Sequence, residues 1–134
     1  MKNFKIFTDG GSRGNPGPAA IGIYILSDDN KCLLKFGKQI GVATNNIAEY
    51  SAVLFAFDWL KERFDNESIN YEFYSDSTLV VNQLNGVYKI KNLEIKKLIM
   101  KIKELEKNFL GKINYNYIPR EKNTIADSLV NSSF

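Results

Sequence analysis

The sequence predicts an α/β domain: a five-stranded mixed sheet with helices packed on it, in the order β-β-β-α-β-α-α-β-α. Three observations lead there. Three strand-like runs come first, and the polar turn Ser27-Asp28-Asp29-Asn30 between the second and third implies antiparallel neighbours. Two more strand-like runs each follow a helical segment, which implies crossover connections and parallel pairing. Nothing in the chain reads as a linker, repeat or low-complexity tract. Residues 1–134, with 44% apolar composition, are therefore expected to fold as a single domain with a substantial core.

Each element has a local reason. Residues 4–9 form an apolar run closed by Asp9, followed by the turn-rich Gly10-Gly11-Ser12-Arg13-Gly14-Asn15-Pro16-Gly17-Pro18. Residues 20–26 and 32–39 are the next two strands. Residues 46–63 read as a helix: with Glu49 at zero and about 100° per residue, Val53, Ala56 and Leu60 lie within about 40° of it. Ser51, Asp58 and Glu62 fall near the opposite side. Residues 71–75 read as a strand, and residues 77–84 form a short helix closing near Asn85-Gly86. Residues 93–108 are helical, with Leu98, Ile102, Leu105 and Phe109 at helical spacing, and Gly111 stops them. Ile113, Tyr115 and Tyr117 alternate as the fifth strand, and residues 125–130 close the chain as a short helix.

Charge and cysteine content bound the function. The longest apolar stretch, residues 19–26, is far short of a membrane span. Met1-Lys2-Asn3-Phe4 passes directly into a strand, so no secretory signal is expected and the cytoplasm is the default location. Cys32 is the single cysteine; with no histidine to activate it, it suits a small strand residue better than a catalytic thiol. Net charge is +3, but residues 89–112 hold eight lysines and three glutamates. A basic segment on a slightly acidic body suits a polyanionic partner, although a lysine run also reads as a solvated helix face.

The chemistry lies in four carboxylates: Asp9, Glu49, Asp76 and Asp127. Glu49 points with the apolar stripe of its helix, where an unpartnered carboxylate is costly. Metal ligation explains that placement; a first-turn glutamate favoured by the helix dipole is the alternative. Asp76 ends a strand and is equally readable as the N-cap of the following helix. Asp127 lies off its helix's apolar side and reads, by itself, as solvated. Oxygen ligands without histidine or cysteine suit Mg²⁺ or Mn²⁺ and argue against zinc. The Gly10–Pro18 segment leads into a strand and lacks dinucleotide or Walker spacing.

Taken together, Asp9-Gly10-Gly11-Ser12, Asn45-Asn46-Ile47-Ala48-Glu49, Tyr74-Ser75-Asp76 and Asn123-x-x-x-Asp127-x-Leu129 resemble the type 1 ribonuclease H family, in its order and across residues 4–130. The resemblance implies a ribonuclease H-like fold that binds RNA–DNA hybrid duplexes and hydrolyses the RNA strand, leaving 5′-phosphate and 3′-hydroxyl ends. It implies two Mg²⁺ ions, with Mn²⁺ as a substitute. Asp9 and Asp76 would be central ligands, Glu49 would hold one ion and Asp127 the other. Gly10, Gly11, Ser12 and Asn15 would face the RNA, and Asn45 and Asn46 would contact the strands besides capping their helix. Thr78, Arg120 and Asn123 complete the expected substrate contacts. A monomer with no membrane association is expected.

Three departures from the family pattern bear on activity. Thr78 stands where many members have a glutamine that touches RNA. The basic, tryptophan-rich protrusion of the best-known bacterial form is missing, and Tyr88, Lys89, Lys91 and Asn92 are a smaller candidate phosphate patch. No histidine precedes Asp127; Arg120 is the nearby candidate for part of that role, able to bind phosphate but unable to act as a base near neutral pH. Two alternatives stand beside the main reading: broader specificity that includes double-stranded RNA, and a non-catalytic hybrid-binding module.

Overall fold

The computed structural model describes residues 2–64 and 66–134. Its elements follow the predicted order: β1 (Lys2–Ser12), β2 (Gly17–Leu26), β3 (Cys32–Ala43), α1 (Asn45–Phe64), β4 (Ile69–Ser75), α2 (Thr78–Leu84), α3 (Leu93–Glu106), β5 (Ile113–Tyr117) and α4 (Thr124–Asn131). A 3₁₀ turn at Arg120–Lys122, not expected from the sequence, leads into α4. The sheet order is β3-β2-β1-β4-β5. The first three strands form an antiparallel meander, and β4 and β5 add in parallel to β1.

Two strand ends differ from expectation. Asp9 does not close β1: the strand continues through Gly10 and Gly11 to Ser12, because Asp9↔Gly22 through Ser12↔Ala19 remain paired with β2. Likewise β3 runs to Ala43, held by its pairing down to Gly17. Antiparallel neighbours supply ladder bonds that glycine propensity would have forfeited.

Alternation along β1 buries Phe4, Ile6 and Thr8 on one face, where α1 packs. That helix buries Ala48, Tyr50, Ala52, Val53, Ala56, Phe57 and Leu60, a wider arc than one stripe because α3 covers its second side. Phe57 is fully buried and stacks on Phe73 at 4.5 Å; truncating it to Ala would cost about 3–5 kcal/mol. The α3 stripe is turned from its expected centre: Ile95, Ile99 and Ile102 are buried, and Leu98 and Leu105 only partly so. Asn92 caps α3 by accepting from the Ile95 N–H at 3.1 Å. Among the lysines of the basic segment, Lys103 is used internally, donating to Leu84 O at 2.6 Å and to Glu106 at 3.1 Å. Cys32, at the start of β3, is exposed.

The opposite face carries α4 over β1, β2 and β3. Among the described residues no helix is long and apolar enough to cross a membrane.

Candidate active site

The site forms where two parallel neighbours part. Pairing between β1 and β4 ends at Phe7↔Tyr74. Beyond it β1 stays with β2, whereas β4 stops at Ser75 and turns into α2. Ser77, not Asp76, caps that helix, accepting from the Val80 N–H at 3.2 Å. Asp76 is thereby free to face Asp9 across the opening. Crevices outside the carboxyl ends of strands are the usual binding places of such sheets.

Glu49 enters from the first turn of α1. Thr44 caps this helix, its hydroxyl accepting from the Ile47 N–H at 3.2 Å, so the expected capping by Asn45 or Asn46 is replaced by the residue before them. The helix can approach because position 10 is glycine: a Cβ there would lie 2.3 Å from the Ala48 carbonyl. Contact that close lets the Gly10 N–H donate to Glu49 Oε1 at 2.7 Å. One oxygen of each of Asp9, Glu49 and Asp76 lies within 4.8 Å of the others.

Asp127 arrives by a similar device on the other face. Gly22, the register partner of Asp9, pairs in turn with Gly37. A Cβ on Gly22 would sit 2.3 Å from Ala126 O, and one on Gly37 2.5 Å from Leu129 O. The backbone of α4 therefore rests directly on the sheet, and Asp127 lines the same cleft as the other three carboxylates. It stands outside their tight group and pairs with Arg120 at 3.6 Å.

Electrostatics mark the group as short of positive charge. Asp9 is 8% exposed. Burial first, then the charge of Asp76, pushes its carboxyl up to about 7. Glu49 is raised well above the ordinary range, by burial and then by Asp9, with which it shares a hydrogen bond. Asp76 is raised by burial, partly offset by its hydrogen bond from Asn123 and the charge of Arg120. Among the described residues no lysine or arginine forms an ion pair with these three. An oxygen-only donor set with uncompensated charge fits a hard divalent cation.

The remaining expected contacts divide. Gly10, Gly11, Ser12, Asn45 and Arg120 line the cleft of about 410 Å³. Asn45 Oδ1 accepts from the Ser12 N–H at 2.7 Å, and Asn15 Oδ1 accepts from the Asn45 N–H at 3.0 Å, tying the glycine-rich segment to α1. Asn46 and Thr78 are exposed but are not among the residues lining the cleft. Asn123, expected to contact substrate, is 1% exposed, and its side chain is used internally: its Nδ2 donates to Thr8 O at 3.0 Å and reaches Asp76 Oδ2 at 3.5 Å. It joins the two parting strands instead. Sequence reasoning missed Gly22 and Gly37, whose only local signal is glycine inside a strand pattern. It also missed Arg13, Val130, Asn131 and Phe134, which complete the wall of the cleft.

Comparison with known proteins agrees with this geometry. Residues 7–133 match the family described as reverse transcriptase-like. A bifunctional protein of Mycobacterium tuberculosis is 40% identical over 129 residues, 96% of this chain; the chain spans about a third (34%) of that relative's length. Ribonuclease HI of Halobacterium salinarum is 36% identical over 127 residues, covering 95% of this chain and 62% of that protein. Among solved structures, LC11-RNase H1 in complex with an RNA/DNA hybrid superposes with a TM-score of 0.92 at 40% identity, covering 97% of this chain and 95% of that one.

Proposed function

This chain belongs to the type 1 ribonuclease H family, and on that premise we propose that it is an endoribonuclease that hydrolyses the RNA strand of RNA–DNA hybrids. The observation that carries the proposal is the carboxylate group of Asp9, Glu49 and Asp76, drawn within 4.8 Å in an open cleft where, among the described residues, no lysine or arginine forms an ion pair with it. In this reading residues 1–134 are one ribonuclease H domain acting as a cytoplasmic monomer.

Asp9, Glu49, Asp76 and Asp127 would hold two divalent ions, Mg²⁺ or in its place Mn²⁺, with Asp9 and Asp76 as the central ligands. Bound metal supplies Lewis acidity, making water a better nucleophile and neutralising charge on the phosphodiester and its departing 3′-oxygen. The protein supplies position. The Gly10 N–H fixes one oxygen of Glu49, and Asn123 holds Asp76 beside the strand that carries Asp9. Gly11, whose missing Cβ would meet nothing nearer than 3.6 Å, lets substrate backbone approach closely, as reading a 2′-hydroxyl requires, and Gly10 lines the cleft beside it. Asn45 spends its carbonyl on Ser12, leaving its amide N–H groups for substrate. Arg120, its side chain 80% exposed, offsets Asp127 and offers N–H groups to a phosphate.

The test is cleavage of a labelled RNA strand, paired with DNA, paired with RNA or left single, in Mg²⁺, Mn²⁺ or EDTA. Metal-dependent cutting confined to the hybrid is expected. Cutting of duplex RNA as well would favour broader specificity, and hybrid binding with no cutting in either metal would refute catalysis.

A further inference from the structure

Resting on that reading, we propose that Arg13, braced by the ring of Phe134, is a contact for a backbone phosphate of the bound duplex at the rim of the carboxylate cleft. Both residues line the cleft that holds Asp9, Glu49, Asp76 and Asp127. The Arg13 guanidinium lies over the Phe134 ring, 4.2 Å from its centroid. Arg120, the other cation lining the cleft among the described residues, has one guanidinium nitrogen paired with Asp127 at 3.6 Å. Arg13 forms no ion pair with a carboxylate among the described residues, although four of them face the same space.

Stacking engages the face of a guanidinium and leaves the in-plane N–H groups open, in the fork geometry that matches phosphate. The backbone beneath it is fixed on both sides. Arg13 N–H donates to Pro18 O at 2.8 Å, and the neighbouring Ser12 N–H is held by Asn45. Position 17 must be glycine for this turn to close, because a Cβ there would lie 2.1 Å from Arg13 O. The residue before the ring is tied down as well. Ser133 Oγ donates to Leu129 O at 2.7 Å, and Gln39 Nε2 donates to Ser133 O at 2.9 Å, tying the segment after α4 to β3. The packing that delivers Asp127 thus also delivers Phe134. A site built from four carboxylates repels a polyanion, and a cation parked on an aromatic ring at its rim offsets that repulsion without neutralising the ligands. In this scheme Arg13 touches substrate and Phe134 is a positioning residue.

The experiment measures binding of a short labelled RNA–DNA hybrid in EDTA across a NaCl series, with steady-state kinetics in Mg²⁺ alongside. Arg13→Ala is expected to flatten the dependence of log affinity on log salt by about 0.9, one phosphate contact, and to act on KM more than on kcat. Phe134→Ala is expected to weaken binding about two- to fivefold, the worth of an exposed cation–π contact, and to add nothing in the Arg13→Ala background. Phe134→Tyr should restore binding. An unchanged salt slope in Arg13→Ala, or an equal effect of Phe134→Ala with and without Arg13, would overturn the proposal. Because the salt slope is read without cleavage, failure of this contact is distinguishable from failure of the proposed hydrolysis, which shows as absence of cutting by the unaltered protein.

Discussion

Replacing Asp9 with asparagine should abolish cleavage and, in the absence of metal, make the protein more stable at alkaline pH. Asp9 is 8% exposed, and burial together with Asp76 lifts its carboxyl from 3.8 to about 7. That difference corresponds to about 4 kcal/mol between protonation states. Below pH 3.8 folded and unfolded chains both hold the proton, and the full stability is present. As pH rises from there toward about 7, the unfolded chain releases its proton first, so stability falls; above about 7 the fold holds a buried anion and the loss is complete. Asparagine has no proton to release, and its amide can donate to Glu49, which already shares a hydrogen bond with Asp9. Glu49 is coupled to Asp9 and keeps its own pH dependence, so part of that difference should be recovered by Asp9→Asn near pH 8, and almost none near pH 4. Urea unfolding in EDTA across this pH range reads the difference directly. With Mg²⁺ added the order should reverse, since binding stabilises only the protein that retains the ligand. An Asp9→Asn variant no more stable than the parent at pH 8 in EDTA would refute the account of Asp9 as a buried, uncompensated anion.

Gly22→Ala should cost about 1–3 kcal/mol and sharply reduce cleavage, because its Cβ would lie 2.3 Å from Ala126 O and lift α4 with Asp127. Gly11→Ala, whose nearest neighbour would be 3.6 Å away, should change stability by less than about 0.5 kcal/mol; thermal denaturation compares the two. Asn123→Ala removes the donor to Thr8 O and Asp76, so a loss of about 1–3 kcal/mol in urea unfolding is expected, with weaker metal binding by calorimetry. Arg120→Ala should slow turnover or raise KM, and unchanged kinetics would leave Arg120 with no part in phosphate handling.

The order of elements was legible because its causes are local. The apolar run of β1, the turn at Ser27–Asn30 and the helical spacing of Val53, Ala56 and Leu60 each involve residues a few positions apart, whereas the alternation expected in β5 is broken by the exposure of Tyr117. The same locality explains why Glu49 could be placed facing the sheet from its own helix. The identity of the family rests on short motifs of the same kind. What folding alone decided are the joints between segments: that β1 runs on past Asp9 while β4 ends, that Ser77 and Thr44 take the capping roles, and that Asn123 is buried between two strands. Gly22 and Gly37 have meaning only once α4 lies on them, and Arg13 meets Phe134 across nearly the whole chain. Periodicity and turn chemistry are written into neighbouring residues. Close approach of backbones and the sharing of buried charge exist only after distant segments have packed, and those two effects decide how the carboxylates meet.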